Sequence, residues 1–265
     1  MDPRLQEESQ KATGRTRTFV LAADRFIYRL ARHWVAVFSL LAAIYVGLPL
    51  LAPVLMNAGI TGPARAIYTI YSPMCHQMAS RSFFLFGEQV AYPRNLAGTA
   101  LEPIEAYMDD IPVFAGVPKD PEQWAQFVVP AREFVGNEQM GYKMALCERD
   151  MAIYGFVLIA SLLYLVLRRR FKIRPLPIWA FILIGLGPIA LDGFSQLLSQ
   201  YGVATEYLSF LNTIFPLRES TPFLRTFTGA LFGFTLVWTA YPHIDKSMQA
   251  TADQVERKLR RAGEL

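Results

Sequence analysis

Residues 151–174 read MAIYGFVLIASLLYLVLRRRFKIR. The first seventeen carry no charge, and the last seven include Arg168, Arg169, Arg170, Lys172 and Arg174. An uncharged apolar run of this kind approaches the roughly 20 helical residues that cross a bilayer. The basic cluster behind it marks the cytoplasmic end of such a helix. Three further stretches share the character: Trp34 to Met56, with Gly47, Pro49 and Pro53 near its far end; 176–198, whose one charge is Asp192; and 221–241. In the last, the apolar part is short, and Thr221 to Arg225 extend it. The pattern predicts an all-α polytopic membrane bundle of about four transmembrane helices, near 34–56, 151–167, 176–198 and 221–241, with interfacial helices and an extracytoplasmic cap.

Composition agrees. Of 265 residues, 53% are hydrophobic and 18% charged, with a mean hydropathy of +0.25. These values exclude a disordered chain, a collagen-like repeat and a disulfide-rich miniprotein. The intermediate hydropathy is what apolar spans alternating with polar segments would average. The first span follows 33 residues, too many for an ordinary signal-peptide leader, and no small-x-small cleavage site follows it. It reads as a retained anchor.

Basic residues set the expected orientation. Residues 1–33 hold seven (Arg4, Lys11, Arg15, Arg17, Arg25, Arg29 and Arg32), the 168–174 link holds five, and the tail holds five (Lys246, Arg257, Lys258, Arg260 and Arg261). Thus 17 of the 26 fall on one side. Nine acidic residues lie between Glu88 and Glu138, on the other. The positive-inside rule places both termini in the cytoplasm and residues 57–150 and about 199–224 outside. This divides the chain into a basic amphipathic segment, 1–33, a membrane domain, 34–240, with an extracytoplasmic insertion, 57–150, and a charged cytoplasmic tail, 241–265. The expected location is a prokaryotic cytoplasmic membrane. The net charge of +4 then reports topology and anionic lipid, not nucleic-acid binding.

Within the insertion, Thr61 to Phe86 is apolar and aromatic but broken by Pro63 and Pro73, as in an interfacial or re-entrant helix pair. Residues 89–140 are rich in Pro and acidic groups and read as a loop-rich cap, with short helices near 102–107 and 121–134. Connections this long are usually functional.

Chemistry-bearing residues gather at the outer end of the predicted spans. The two cysteines, Cys75 and Cys147, both fall there, as does His76; His33 and His243 sit at the cytoplasmic ends. Asp192 lies late in the third span, and an acid inside a span is a functional-site hypothesis by default. Gln196, four residues on, shares its face. Arg225, Thr228 and Gly229 share a face of the fourth span, and Gly229 with Gly233 forms a small-xxx-small pair suited to close helix approach. His76, Cys75, Cys147, Asp150, Asp192, Gln196, Glu219 and Arg225 therefore converge on one polar site at the outer membrane face. The plainer alternative is a set of structural ion pairs, such as Asp192 with Arg225 or Asp150 with Arg149.

Cys75-His76-Gln77 followed by Arg81-Ser82-Phe83, then Cys147-x-Arg149-Asp150 with Tyr154-Gly155, Asp192-Gly193-x-x-Gln196, and Glu219-Ser220 with Arg225-x-x-Thr228-Gly229 resembles the domain-of-unknown-function family 2085 of predicted integral membrane proteins. The resemblance covers roughly 65–87 and 142–240. The family pattern has a shorter link between the Cys-His-Gln motif and the second Cys. It often shows Cys-x-Arg-Cys where this chain has Cys147-Glu148-Arg149-Asp150. The resemblance implies a membrane location and no particular activity.

Two readings of function follow. The first is a metal centre with Cys75, His76, Cys147 and Asp150 as ligands, zinc favoured over other transition metals. Cys75 and His76 are adjacent, so ligation by both needs an irregular turn, for which Pro73 makes room. A catalytic version adds Asp192 or Glu219 as general base, Arg225 for an anionic substrate, and Gln77, Arg149 and Gln196 as further binding groups; a lipid or quinone would be the substrate. The second reading is a non-catalytic accessory subunit of a membrane complex, with Cys75 and Cys147 in a structural or redox disulfide. Nucleotide fingerprints, His-Glu-x-x-His and c-type haem motifs are absent from the sequence.

Overall fold

The computed structural model describes residues 14–264. Arg4 and Lys11 of the predicted basic segment lie outside the described residues. Seven α-helices carry the architecture: α1, Arg15–Asn57; α2, Thr61–Tyr71; α3, Trp124–Glu133; α4, Glu148–Leu167; α5, Ile178–Ala204, with a π-helical stretch over Phe181–Leu186; α6, Leu211–Ile214; and α7, Pro222–Arg261. Three of them, α1, α4 and α5, are long and apolar enough to cross a membrane. The fourth expected span lies inside α7 and is not among these, because Thr226, Thr228, Gly229, Gly233, Thr235 and Thr239 dilute its apolar run.

The predicted boundary at residue 33 is not a break. The basic segment from Arg15 and the first apolar run form one 43-residue helix, about 64 Å long at 1.5 Å per residue. The tail is likewise continuous with α7. The two extensions pack on each other: Asp24 meets Lys258, Arg25 meets Glu264, and Tyr28 Oη lies 3.4 Å from Glu256.

Helices α1, α4 and α7 build the bundle core around Trp34, Val35, Ala160, Tyr164, Val237 and Tyr241. The longest shared interface joins α4 and α7. The expected small-xxx-small pair explains it: a Cβ on Gly233 would stand 2.2 Å from the Ile153 carbonyl oxygen, and one on Gly229 2.7 Å from that of Arg149. Large side chains such as Leu40, Leu41, Leu183 and Leu191 stay exposed on the outer faces, as helices bordered by hydrocarbon require.

Prolines inside the long helices do more than kink them. A proline has no N–H, so the carbonyl four residues upstream loses its helical donor. The carbonyls orphaned by Pro49, Pro53 and Pro242 each receive one from another element. Pro49 frees Tyr45 O, which accepts from Tyr71 Oη at 2.8 Å. Pro53 frees Pro49 O, which accepts from Ala145 N at 3.3 Å, and Pro242 frees Trp238 O, which accepts from Leu176 N at 3.0 Å. The first two bonds fasten the insertion to α1 just ahead of each cysteine.

The insertion has its own core, formed by Phe84, Tyr92, Ile104, Met108, Phe114, Phe127 and Met140 among others. A small antiparallel sheet in the order β1-β3-β2 crosses it: β1, Phe84–Leu85; β2, Gly136–Asn137; and β3, Gly141–Lys143, with Phe84 opposite Lys143 and Gly136 opposite Tyr142. The expected short helices appear as a 3-10 turn at Ile104–Ala106 and as the turn Pro121–Gln123 running into α3. Thr61 to Phe86 holds one helix, α2, and a turn, not a helix pair. Pro73 comes just after the helix ends at Tyr71, and the chain there turns back to the bundle.

Candidate functional site

The turn after α2 brings Cys75 under α4. Its sulfur accepts two backbone N–H groups, from Cys147 at 3.3 Å and from Gln77 at 3.5 Å. The second bond is set up by Gln77, a non-glycine residue with φ 52°, a conformation that needs outside support. Support comes from Gln77 itself, whose Nε2 donates to Tyr68 O and Ala145 O, both at 2.9 Å. The Gln77 carbonyl in turn accepts from Lys143 Nζ at 2.6 Å.

Lys143 is 0% exposed and also donates to Arg132 O at 2.7 Å and Ala131 O at 3.3 Å. Three carbonyls match the three donors of an ammonium, while burial pulls its pKa down to about 7. A sheet lysine thus braces the cysteine turn from behind.

Cys147 stands at the mouth of α4, and its thiol donates to Asp150 Oδ2 at 3.0 Å. The donor atoms of Cys75, Cys147 and Asp150 all lie within 4.8 Å of one another. Both cysteines are free. The hydrogen bond from Cys147 holds the Cys75 thiol below its ordinary pKa, against the opposing effect of burial. Cys147 is pushed well up, first by the Cys75 sulfur beside it and then by burial. The two sulfurs are thus biased in opposite directions, Cys75 toward thiolate and Cys147 toward thiol.

His76, expected as a ligand beside Cys75, is not part of this group. Adjacent residues point apart in the turn; Cys75 faces in, and His76 is exposed on the wall of the same cavity.

Behind the cysteines lies an ion network. Arg225, 2% exposed, spans Glu148 Oε2 at 3.0 Å and Glu219. Arg81 grips Glu219 in a fork, at 2.8 and 3.0 Å, and Gln200 adds a bond at 3.2 Å. Burial alone would raise the Glu219 pKa, but Arg81 and Arg225 overcome it and hold the carboxyl ionised. Asp192 accepts from Arg149 at 2.5 Å, Arg218 at 3.0 Å and Ser220 Oγ at 2.8 Å. The expected shared face of Asp192 and Gln196 is real, and Ser220 reads both: its N–H donates to Gln196 Oε1 at 3.4 Å. The ion pairs differ from those expected. Asp192 pairs with Arg149 and Arg218, not Arg225, because Arg225 is taken by two glutamates.

A cavity of about 280 Å³ opens between cluster and network, lined by Cys75, His76, Cys147, Asp150, Gln196 and Arg225 of the expected set. Gln77 and Arg149 line it as well, and Asp192 and Glu219 sit one layer back, behind their arginines. The reading from sequence gave no site role to Glu148, Arg81, Arg218, Ser220 and Lys143. Arg81 and Ser220 belong to the quoted motifs, and Glu148 and Arg218 adjoin them, so position was a usable signal. Lys143 had none, since its role depends on strand pairing in the insertion.

The fold and site define a class: this is an integral membrane protein, helical, with its polar centre at the end of the bundle that carries the insertion. Residues 130–239 match the domain-of-unknown-function family 2085, described as predicted membrane protein. The match takes in Cys147, Asp192, Glu219 and Arg225. The chain is also similar to an uncharacterized protein of Methanocaldococcus jannaschii, 26% identical over 176 residues, which covers 66% of this chain and 67% of the relative. No solved structure matches the chain.

Proposed function

We propose that this membrane protein holds a thiophilic metal ion, zinc before other transition metals, on Cys75, Cys147 and Asp150. The observation that carries the reading is the convergence of two thiols and a carboxylate within 4.8 Å on a sulfur already supplied with two N–H donors. Zinc takes this donor set, and three protein ligands leave a position for water or substrate, as in catalytic sites. N–H bonds to the sulfur stabilise the thiolate that ligation needs. Asp192 and Glu219, each held by two arginines, suit positioning better than proton transfer. The orientation read from the basic residues puts this centre on the outer face of a prokaryotic cytoplasmic membrane, and the archaeal relative is consistent with that. The buried flank of α7 is the fourth span in this reading; packed against α4 and α1, it meets protein where the other spans meet lipid.

A second reading has its own support. Two free thiols this close, one inclined to thiolate and one to thiol, also suit a redox disulfide. Elemental analysis separates the two. Wild-type protein purified with reductant carries about one zinc per chain, and Cys75→Ser and Cys147→Ser carry none. Metal-free protein with a Cys75–Cys147 disulfide in non-reducing mass mapping gives the second reading instead.

A further inference from the structure

Several buried polar atoms at this end of the bundle have no partner among the described residues: Gln196 Nε2 and Arg149 Nε on the cavity wall, and Ser80 Oγ and Glu148 Oε1 behind it. Gln196 is the most telling. It is 4% exposed and lines the cavity. The Ser220 N–H fixes its amide, because only Oε1 can accept that bond. Nε2 then lies toward the Glu219 carboxylate, whose ionised form it favours, but makes no hydrogen bond of normal geometry, and a buried donor left short in this way is costly.

The surrounding charge has the matching sign. Three guanidinium groups line the cavity, those of Arg81, Arg149 and Arg225. The carboxylates that pair with them, Glu219, Asp192 and Glu148, do not line it. The one acid on the wall is Asp150, which belongs to the thiol cluster. Arg81 engages Glu219 through Nε and Nη2, which leaves Nη1 outside that pair. Arg149 holds Asp192 through Nη2 while its Nε stays unpartnered.

We propose that this cavity binds an oxyanion, a phosphate group free or as the head of a lipid, on Gln196, Arg149 and Arg81. The inference deepens the metal reading above, since the oxyanion would sit beside the position left on the metal. Forked guanidinium donors suit phosphate geometry. At about 280 Å³ the space lies near the low end of small-molecule pockets, about 300–1,000 Å³. It therefore takes a head group and leaves acyl chains outside.

The test titrates the full chain, reduced and in detergent, with inorganic phosphate and, separately, with dihexanoyl phosphatidic acid, following heat release; zinc is measured on the same samples. Saturable binding of phosphate supports a soluble oxyanion, and binding of the lipid alone supports a head group. Gln196→Glu keeps an acceptor for Ser220 and replaces the donor, so affinity falls about tenfold or more. Arg149→Lys keeps a cation for Asp192 but removes Nε, and serves if the first variant does not fold. Zinc-loaded wild type that binds neither ligand overturns the proposal and leaves the metal centre standing. Metal-free protein that still binds phosphate does the reverse. Equal affinity in wild type and a folded variant also overturns it.

Discussion

The bundle buries charge at both ends, and the two ends differ in how fully it is satisfied. At the end away from the insertion, Asp245 accepts from Trp34 Nε1 at 2.9 Å, Arg168 at 2.8 Å and Gln249 at 2.9 Å. Tyr164 and Tyr241 pack around it, and Tyr241 shares a hydrogen bond with Ser161. The Asp245 cluster itself is saturated and explains itself as a helix clamp; the Trp238 indole N–H, unpartnered at this end, lies outside it. At the insertion end, Glu148, Arg149 and Gln196 each keep an unpartnered atom, the last two on the wall of a cavity. A buried network left incomplete costs stability, so its persistence points to a partner from outside the chain.

The largest effect should come from cutting the incomplete network at its hub. Arg225→Met strands Glu148 and deprives Glu219 of one of its two arginines; the loss should be about 3–5 kcal/mol, read as a collapse in thermal stability in detergent. A stability near wild type would mean the network is not the keystone described. At the saturated end, Asp245→Asn should cost about 1–3 kcal/mol and leave zinc content and phosphate affinity unchanged. Altered ligand binding there would erase the distinction between the ends.

Lys143 gives a pH signature peculiar to the insertion end. Its folded pKa near 7 lies below the ordinary 10.5, so between those values the unfolded chain binds more protons than the folded one. Stability should therefore rise with pH from about 7 to 10.5 and be flat below 7 as far as this group decides. Lys143→Met removes that slope. Parallel stability-versus-pH curves for wild type and variant would contradict the assignment. The smallest change tests the proline ties: Tyr71→Phe leaves the Tyr45 carbonyl unpaired, for about 1 kcal/mol, and a neutral result would show that the tie is dispensable.

Much of the fold was legible because its causes are local. Apolar runs announced α1, α4 and α5, and Gly229 with Gly233 announced the α4–α7 contact. The continuity of α1 through residue 33 was not legible, because a change from basic to apolar composition does not interrupt helix geometry. Convergence of the site was legible from topology: Cys75, Cys147, Asp150, Gln196 and Arg225 do meet on one cavity. Their pairings were not. Which arginine serves Asp192 depends on Ser220 and on the two glutamates that occupy Arg225, and no spacing encodes that. The turn that separates Cys75 from His76 rests on Lys143, whose place is fixed by register against Phe84.

The proposed metal centre puts two thiolates on the ion at the incomplete end. Cobalt loaded into the reduced full chain reports this directly by absorption. The account predicts a thiolate-to-cobalt charge-transfer band that weakens in Cys75→Ser and Cys147→Ser and is unchanged in Asp245→Asn. Cobalt that binds without such a band, or a band that survives loss of either cysteine, would contradict it.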